Sequence, residues 1–499
     1  MFRCRILSSD HCRQWSPRRR FFHRKLLAVA IVVVFLTNSV DKNLARGETK
    51  DPPNIIFIMA DDLGYGDLGC YGQKHIQTPN IDRLARNGMR FTDFYAGSTV
   101  CAPSRCVLMT GLHTGHCFIR GNGKDNLRPE DLTVAEVLKA ADFSTGQVGK
   151  WGLGHEGSTG TPTKKGFDFF FGYLDQHHAH LYYPTFLVKN ERRVKLRNVV
   201  PDEGSWGQGV ASKKVDYSPQ LMLDETLGFI DAHKDERFFL YLSYTLPHAN
   251  NEALRKTGDG TAVPNHGIYE AKNWKKQNKG QAAMIGYLDM MVGRVMKQLQ
   301  QHGLTDNSII FFTSDNGPHD EAGHDVSFFD ANGPVTGIKR AVYDGGIRVP
   351  MIVQWPGHIK AGSTTNLVCG AVDFLDTAAD IASVDVKVKT DGISFLPTLL
   401  GKNNQQSKHE YLYWEFYEQG SKQALRSGPW KAVRRPIGTG PIEIYNVEDD
   451  ISEANDLATK RPDLVSTFDK FFAEAHVPAK RWRASGKPRS AADERKDDR

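Results

Sequence analysis

The sequence has no apolar run long enough to cross a bilayer. Its longest uninterrupted apolar stretch, residues 26–36, is eleven residues long, whereas a membrane-spanning helix needs about 20. Because a basic region precedes this stretch, residues 1–40 are predicted to be a signal peptide, with an uncleaved N-terminal anchor as the alternative. We therefore expect an exported protein, periplasmic, secreted or lumenal, which contacts a membrane only if that segment is retained.

The chain has no excess of positive charge outside this N-terminal segment. The whole chain has a formal net charge of +6, yet eight basic residues and one acidic residue give +7 before residue 41, which leaves −1 for the rest. A nucleic-acid partner needs a basic surface on the folded part of the protein. The composition therefore predicts no nucleic-acid partner.

Cysteine is also sparse. The chain has seven, of which Cys4 and Cys12 lie in the predicted leader. An odd number therefore remains, and in an oxidising compartment this predicts that at least one has a fate other than a disulfide; Cys101 is the candidate. The others would be structural, with three pairings open among Cys70, Cys106, Cys117 and Cys369.

Two apolar runs, each followed by acids and a glycine, predict strands that are buried on both faces. The first run is residues 55–60, and residues 307–319 repeat the arrangement. Between them, residues 286–303 show helical apolar periodicity and end at Gly303, a helix stop signal. Strands that alternate with helices predict an α/β fold with a mostly parallel sheet.

The chain changes character after about residue 400. Residues 401–480 are aromatic and alternating, with one helical stretch at 462–475, which predicts a smaller α+β subdomain with an antiparallel sheet. Residues 51–400 are predicted to form the catalytic domain. Residues 481–499 are too polar to fold alone and predict a disordered tail.

Acids and an amide follow both predicted strands. Asp61 and Asp62 come after the first strand, and Asp315 and Asn316 come after the second. Ligands of α/β folds bind beyond the carboxyl ends of parallel strands, so these side chains are expected to meet in one crevice. Turn and cap chemistry is the alternative for either loop alone. Three carboxylates and an amide suit Ca²⁺, with Mg²⁺ as the alternative, better than zinc.

The stretch CAPSRCVLMTG, residues 101–111, has the form C-x-P-S-R and resembles the signature of type I sulfatases. Further blocks resemble the same family and follow in its order: ADDLGYGDLGCYG, GKWGLG, TLPH, SDNGP and GIKRAVYDGGIRVP. The resemblance runs from about residue 54 to 350 and implies an alkaline-phosphatase-like sheet flanked by helices. It also implies that a formylglycine-generating maturation system converts Cys101 to Cα-formylglycine.

The resemblance assigns roles to single residues. The implied metal ligands are Asp61, Asp62, Cys101, Asp315 and Asn316. The implied catalytic residues are Cys101, Arg105, Lys150, His248 and Lys339, of which the last three would also bind substrate. A hydroxyl of the hydrated aldehyde would lose its proton with help from Asp315 and attack sulfur. The alcohol would then leave with a proton from His248 or Lys339, and the second hydroxyl would expel sulfate.

The chemistry of a sulfate monoester fits this set. Its sulfur is shielded by anionic oxygens, so a catalyst needs cations around it and a nucleophile in line with the leaving oxygen. The divalent metal and the side chains of Arg105, Lys150 and Lys339 would provide that charge. Pro103 at the start of a helical run predicts that residue 101 lies near a helix N-terminus, where a developing anion is favoured.

One position departs from the family pattern. That pattern commonly reads G-K-W-H-L-G, whereas this chain has Gly152 in place of the histidine. The base that assists the release of sulfate is therefore open, with His155, a water and Asp315 as candidates.

The loop at residues 175–184 carries three histidines and two tyrosines. Similar loops in such enzymes line the substrate mouth, so His178 and His180 are predicted to bind substrate, with an ordinary surface loop as the alternative.

These patterns together predict an exported sulfatase that hydrolyses sulfate monoesters to an alcohol or phenol and sulfate, with a sulfated carbohydrate as one candidate substrate. Two alternatives stay open on the sequence. One is a phosphate or phosphonate monoester hydrolase on the same fold, and the other is a non-catalytic binder of sulfated glycans. The intact metal and cysteine motifs argue against the binder.

Overall fold

Strands and helices alternate along the part of the chain that the structure, a computed structural model, describes: residues 52–482. The strands are β1 (Asn54–Ala60), β2 (Met89–Phe91), β3 (Phe94–Tyr95), β4 (Ser144–Lys150), β5 (Phe169–Tyr173), β6 (Phe186–Lys189), β7 (Arg192–Lys195), β8 (Phe238–Ser243), β9 (Ser308–Ser314), β10 (Met351–Gln354), β11 (Ser363–Thr365), β12 (Cys369–Gly370), β13 (Leu412–Phe416), β14 (Lys422–Ser427), β15 (Trp430–Arg434) and β16 (Ile442–Asn446). The α-helices are α1 (Pro79–Asn87), α2 (Cys101–Thr110), α3 (Val134–Lys139), α4 (Ser218–Ala232), α5 (Asn251–Thr257), α6 (Lys276–Gln301), α7 (Val326–Phe329), α8 (Asp344–Ile347), α9 (Phe374–Ala382), α10 (Leu396–Leu399) and α11 (Pro462–Ala475). The predicted signal peptide, and the predicted tail beyond residue 482, lie outside the described residues.

Ten strands form one large sheet in the order β11-β2-β10-β9-β1-β8-β4-β5-β6-β7. The five central strands, from β9 to β5, are all parallel. Antiparallel pairing appears toward both edges, where β10 joins β9 and where β6 lies between β5 and β7. The predicted α/β fold with a mostly parallel sheet is therefore confirmed.

Strand β1 lies at the middle of this sheet because its side chains are apolar on both faces. Alternate side chains of a strand point to opposite faces. Ile55, Phe57 and Met59 enter one hydrophobic core together with residues of α2 and α9. Ile56 and Ile58 enter a second core, which α4 and α6 cover. The continuous apolar run thus reflects burial of the sheet on both sides.

Helix α6 is the longest helix of the described residues and confirms the predicted periodicity. Its buried stripe includes Ile285, Leu288, Val292 and Leu299. The helix ends at Gln301, and Gly303 follows with a φ of +69°. A left-handed residue at this point reverses the chain with little strain only if it is glycine, which is why Gly303 marks the helix end.

The C-terminal strands form a separate antiparallel sheet in the order β13-β14-β15-β16. Helix α11 packs on one face of this sheet, with Phe468 and Phe472 against Leu425 and Ile444. The helix occupies 462–475, the stretch that the sequence pattern indicates. The smaller C-terminal antiparallel sheet is therefore confirmed.

The other face of the C-terminal sheet completes the core of the large sheet. Trp414 and Phe416 belong to the same hydrophobic core as Phe57, and the Trp414 indole N–H donates to the Ala96 carbonyl at 2.8 Å. The division of the chain into 51–400 and 401–480 stays a prediction, since residues on both sides of it share one core.

Neither a membrane helix nor a disulfide is found between residues 52 and 482. No helix in this range combines the length and the hydropathy of a membrane span. The cysteines in this range are free thiols, and all of them are buried except Cys70, which is partly exposed. The structural role expected of Cys106, Cys117 and Cys369 is therefore that of small buried side chains rather than of cross-links.

Candidate active site

The acidic loops that follow β1 and β9 lie side by side at the carboxyl ends of these central strands. Strands β1 and β9 are parallel neighbours that end in register, with Ala60 opposite Ser314. The Asp62 backbone N–H donates to Asp315 Oδ1 at 3.1 Å, and Asn316 Nδ2 donates to Asp62 Oδ1 at 2.7 Å. Asp61, Asp62, Asp315 and Asn316 are all fully buried. The structure thus brings three carboxyl groups and an amide into one crevice.

Cys101 is the first residue of α2 and faces this crevice. Its Sγ lies 3.3 Å from Asp61 Oδ1, and every residue of α2 is buried. Burial, together with Asp315 and Asp61, raises the pKa of the Cys101 thiol well above its ordinary value. An unmodified thiol at this position is therefore held in its neutral, weakly nucleophilic form.

Arg105 lies one helical turn after Cys101 and ties the two acidic loops together. Its Nε and Nη2 donate to Asp315 Oδ2 at 3.1 and 2.7 Å, and its Nη2 lies 3.5 Å from Asp61 Oδ2. Its Nη1 donates to the Lys150 carbonyl at 2.7 Å. Burial and Asp61 raise the pKa of Asp315 to about 6, although Arg105 opposes this shift. The guanidinium therefore stabilises a cluster of buried carboxyl groups that would otherwise repel one another.

Two lysines complete the charge balance. Lys150, at the end of β4, donates to Asp61 Oδ2 at 2.8 Å, and Lys339 donates to Asp62 Oδ2 at the same distance. Burial opposes the charged form of each lysine, but the neighbouring aspartates outweigh it and raise both pKa values. Both ammonium groups are thus held charged beside the acidic crevice.

His248 contacts the second lysine. Its Nε2 lies 3.3 Å from Lys339 Nζ and 3.5 Å from Asp62 Oδ2. Its Nδ1 lies 2.7 Å from the Ala249 carbonyl oxygen. A carbonyl only accepts hydrogen bonds, so Nδ1 carries the proton and Nε2 turns its lone pair toward Lys339. Burial and Lys339 lower the pKa of His248 well below its ordinary value.

Glu321 and Arg340 were not singled out by the sequence patterns. Glu321 accepts from Lys339 Nζ at 2.9 Å and also pairs with Arg340. Arg340 has a φ of +73°, a backbone conformation that is costly for a residue with a side chain. No local sequence signal marks these residues, since an acid in a loop and an arginine next to a lysine are ordinary features.

The two histidines that are predicted to bind substrate, His178 and His180, lie in different surroundings. The His180 ring stacks on the His248 ring at a centroid distance of 4.9 Å, and its Nδ1 lies 3.3 Å from Glu252 Oε2. The His178 ring packs instead against Phe186 and Tyr173, at 4.4 and 4.9 Å. The structure therefore places His180 against His248 at the crevice, whereas His178 packs against other aromatic side chains.

Gln176 fills the space beside Gly152, where the family pattern has a histidine. Gly152 has a φ of +78°, and a Cβ added to it would lie 3.0 Å from Gln176 Cγ. The candidate replacement His155 contacts Asp175 at 3.5 Å and the Trp206 ring at 5.4 Å. These contacts hold His155 beside Asp175 and Trp206, so its role as a base stays a prediction.

The residues of the crevice fit a hard divalent cation. Carboxylate and amide oxygens are the ligands that Ca²⁺ and Mg²⁺ prefer. Asp61, Asp62, Cys101 and His248 offer ligand atoms that all lie within 4.8 Å of one another. Asn316 Oδ1 is buried and has no hydrogen-bond partner among the described residues. A side-chain oxygen that coordinates a cation needs no hydrogen-bond donor from the protein. A buried acceptor without such a donor therefore fits the role of a metal ligand.

Comparison with protein families agrees with this site. The Sulfatase family model matches residues 53–384, and a second model, N-sulphoglucosamine sulphohydrolase, C-terminal, matches residues 337–469. The first match covers most of the chain, including every residue of the crevice. The chain belongs to the type I sulfatase family and is a sulfuric ester hydrolase.

Individual relatives cover much of the chain. Bovine arylsulfatase A is 32% identical over 406 residues, which span 76% of this chain and 74% of the relative. An N-acetylgalactosamine-6-O-sulfatase of Bacteroides thetaiotaomicron is 30% identical over 498 residues, spanning 84% and 92%. The crystal structure of Ps i-CgsB in complex with k-i-k-neocarrahexaose superposes with a TM-score of 0.72 at 27% identity, covering 89% of this chain and 96% of that one.

Proposed function

We propose that this sulfatase hydrolyses sulfate esters of carbohydrates with a nucleophile derived from Cys101. The observation that carries the proposal is the position of Cys101, at the N-terminus of a buried helix, 3.3 Å from Asp61 and within a cluster of buried lysine and arginine charges. Asp61, Asp62, Asp315 and Asn316 would hold Ca²⁺, or Mg²⁺, next to residue 101. A bound cation would supply Lewis acidity and additional positive charge at the sulfate.

The nucleophile is proposed to be a formylglycine, made from Cys101 by a formylglycine-generating system. Its hydrated aldehyde supplies a hydroxyl nucleophile and a second hydroxyl for release of sulfate. The helix N-terminus favours the negative charge that develops at this residue.

The positive side chains are proposed to have different roles in the reaction. Arg105 is engaged by Asp315 and Asp61 and holds the two acidic loops in place. Lys150 and Lys339 stand on either side of the aspartates and would receive the sulfate oxygens. Preorganised charges of this kind stabilise a transition state without reorganisation during the reaction.

Lys339 is proposed to protonate the leaving oxygen. Because His248 Nδ1 carries the proton that binds the Ala249 carbonyl, His248 Nε2 accepts from Lys339 and cannot donate. The contact with His248 Nε2 is the longest of the three polar contacts of the Lys339 ammonium, which leaves that N–H the easiest to redirect toward substrate. His248 would then position Lys339 rather than act as the acid itself.

The Lys339→Met variant is expected to lose more activity on an alkyl sulfate than on 4-nitrophenyl sulfate. A 4-nitrophenolate leaves without a proton, whereas an alkoxide needs one, and general acid catalysis contributes about 10²- to 10⁴-fold. Steady-state kcat/KM on both esters measures the ratio. The exposed Lys402→Met variant serves as control. Equal losses on both esters would show that Lys339 binds sulfate without donating a proton.

A carbohydrate substrate and export are proposed on separate grounds. One relative is named an N-acetylgalactosamine-6-O-sulfatase, and one similar structure is a complex with k-i-k-neocarrahexaose. The aromatic and histidine residues around His180 also suit a polar ring substrate. The basic and apolar residues before position 41 support export.

Mass spectrometry of the tryptic peptide 91–105 tests the nucleophile. The protein is made in its native host or beside a formylglycine-generating system, and the peptide mass is compared with that of the unmodified thiol. An aldehyde at position 101 supports the proposal, and an unmodified thiol in active protein would refute it. Rates on 4-nitrophenyl sulfate and 4-nitrophenyl phosphate then decide between sulfate and phosphate as the preferred ester.

Removal of the divalent cation is expected to lower both activity and stability. A ligand that binds only the folded state at 100 times its Kd adds about 2.7 kcal/mol to the free energy of unfolding. We therefore expect Ca²⁺ added to chelator-treated protein to raise its thermal midpoint. Asn316→Ala should blunt this shift, whereas the exposed Asn366→Ala should not. A midpoint that does not respond to Ca²⁺ or Mg²⁺ would contradict the assigned site.

A further inference from the structure

A cavity is lined in part by the loop of residues 175–184, which also brings His180 next to the crevice residues His248 and Lys339, called the catalytic cluster below. The cavity has a volume of about 280 Å³ and is lined by His155, Asp175, His178 and Trp206, among others. Small-molecule pockets start at about 300 Å³. At about 280 Å³ this cavity is slightly smaller than that, so it suits one small polar ring rather than a larger ligand. Its lining residues lie in loops and in β6 and β7, and the proposed reaction does not use them.

Two imidazole nitrogens in the walls of this cavity are without a partner. His155 Nε2 and His178 Nε2 are buried and make no hydrogen bond within residues 52–482. The whole His178 residue is only 3% exposed. Buried polar atoms are nearly always hydrogen-bonded. Two such atoms in one cavity indicate a ligand that carries hydroxyl or similar groups.

Two of the three acids in the walls, Asp175 and Glu156, are already paired within the protein. Asp175 contacts the imidazoles of His155 and His177 at 3.5 and 3.4 Å. Glu156 pairs with Arg193 at 2.7 Å. Glu203, the third acid, accepts a hydrogen bond from Thr185 and has no ion-pair partner among the described residues. This carboxylate can accept from a sugar hydroxyl, but a sulfate group of the ligand has to face away from it.

An aromatic surface continues from the cavity to the catalytic cluster. The Trp206 ring is contacted by Lys124 Nζ at 4.9 Å and by the His177 ring at 6.4 Å. The His177 ring lies 5.6 Å from His180, which stacks on His248. A molecule that extends from the catalytic cluster along this row of rings meets Trp206 and the cavity next.

We propose that this cavity is a carbohydrate subsite for a second sugar ring of a sulfated glycan, next to the ring whose sulfate is cleaved. Trp206 presents the aromatic face against which the sugar packs, and His155 and His178 bind its hydroxyl groups through Nε2. Lys124 adds positive charge at the edge, which suits an anionic glycan. This inference rests on the proposed carbohydrate sulfatase function. It assigns to this cavity the selection of glycans by their number of sugar rings.

The test compares an aryl substrate with glycan inhibitors on the full-length protein. Chondroitin 6-sulfate and κ-carrageenan oligosaccharides are used to inhibit the hydrolysis of 4-nitrophenyl sulfate, which is too small to reach Trp206. Trp206→Ala is expected to raise the inhibition constant of the oligosaccharides about tenfold more than it raises KM for the aryl ester. A factor of about ten is typical of the loss of one aromatic contact in a binding site. His155→Phe, which keeps a ring and removes the nitrogens, should shift the same ratio.

Trp430→Ala is the matched control, because Trp430 is also partly exposed but lies in the C-terminal sheet against Arg461. Oligosaccharides that fail to inhibit the wild-type enzyme, or variants that leave the ratio unchanged, would overturn the subsite. Direct titration of the oligosaccharides separates the two proposals. If wild type binds them through Trp206 without any turnover of sulfate esters, the subsite stands and the proposed catalytic function fails.

Discussion

Replacement of Cys101 by alanine is expected to lower kcat on 4-nitrophenyl sulfate by about 10⁴-fold or more, the scale of losing an enzymatic nucleophile. The reason is positional, since residue 101 is the first residue of α2 and its side chain meets Asp61 at the helix N-terminus. The substrate-binding charges of Lys150 and Lys339 remain, so KM should change much less than kcat. Steady-state kinetics of purified variants measure both quantities.

Cys106→Ala supplies the matched control. Cys106 lies in the same helix and is equally buried, but it packs in the hydrophobic core rather than in the crevice. Its loss should lower the free energy of unfolding by about 1–2 kcal/mol and leave kcat near that of wild type. A Cys101→Ala variant that retains more than a few per cent of activity would contradict the assignment of the nucleophile.

Cys101→Ser gives a sharper result. A serine hydroxyl can accept the sulfuryl group from the ester, but it has no second hydroxyl to expel it. We expect one turnover per enzyme, seen as a burst of 4-nitrophenol and as sulfated peptide 91–105 in the mass spectrum. Continuous turnover by a variant whose residue 101 is verified as serine would refute the proposed mechanism.

Replacement of Arg105 by methionine is expected to have the second largest effect. The guanidinium is fully buried and contacts Asp315 and Asp61. Removing one partner of a buried ion pair costs about 3–5 kcal/mol of folding free energy, because the remaining charge stays buried and unpaired. We also expect loss of activity, since the two acidic loops lose the group that joins them. Urea unfolding and kcat at a temperature below the transition measure the two effects.

Arg348→Met separates stability from catalysis. Arg348 is a buried arginine that pairs with Asp93 at 2.9 Å and Asp344 at 3.3 Å, outside the crevice. Its replacement should destabilise the protein by a similar amount while the folded fraction stays active. If both variants lose stability equally and both keep activity, Arg105 has a purely structural role.

The parts of the fold that are most regular were the most predictable. The apolar runs of β1 and β9, the stripe of α6 and the C-terminal sheet with α11 follow directly from periodicity and turn signals. The adjacency of Asp61, Asp62, Asp315 and Asn316 follows as well, because neighbouring parallel strands end at the same edge. The short antiparallel strands β2 and β7 were not predicted, since strands of three or four residues carry little pattern.

The contacts that depend on side-chain direction were not predictable. His178 and His180 lie two residues apart in a short 3₁₀ turn, which has three residues per turn and therefore points them in different directions. Glu321 accepts a hydrogen bond from Lys339, which lies 18 positions later, and no sequence pattern links the two residues. Gln176 fills the space beside Gly152 although no sequence pattern links the two residues.

The burial of Cys101 sets a time limit on its proposed conversion to formylglycine. The residue is 1% exposed, and the core around α2 is completed by Trp414, which is synthesised more than 300 residues later and donates to the Ala96 carbonyl. An oxidising enzyme reaches residue 101 only while the nascent chain is still open. The proposed maturation would therefore have to precede folding, and a chain that folds with Cys101 unmodified would lack the proposed nucleophile.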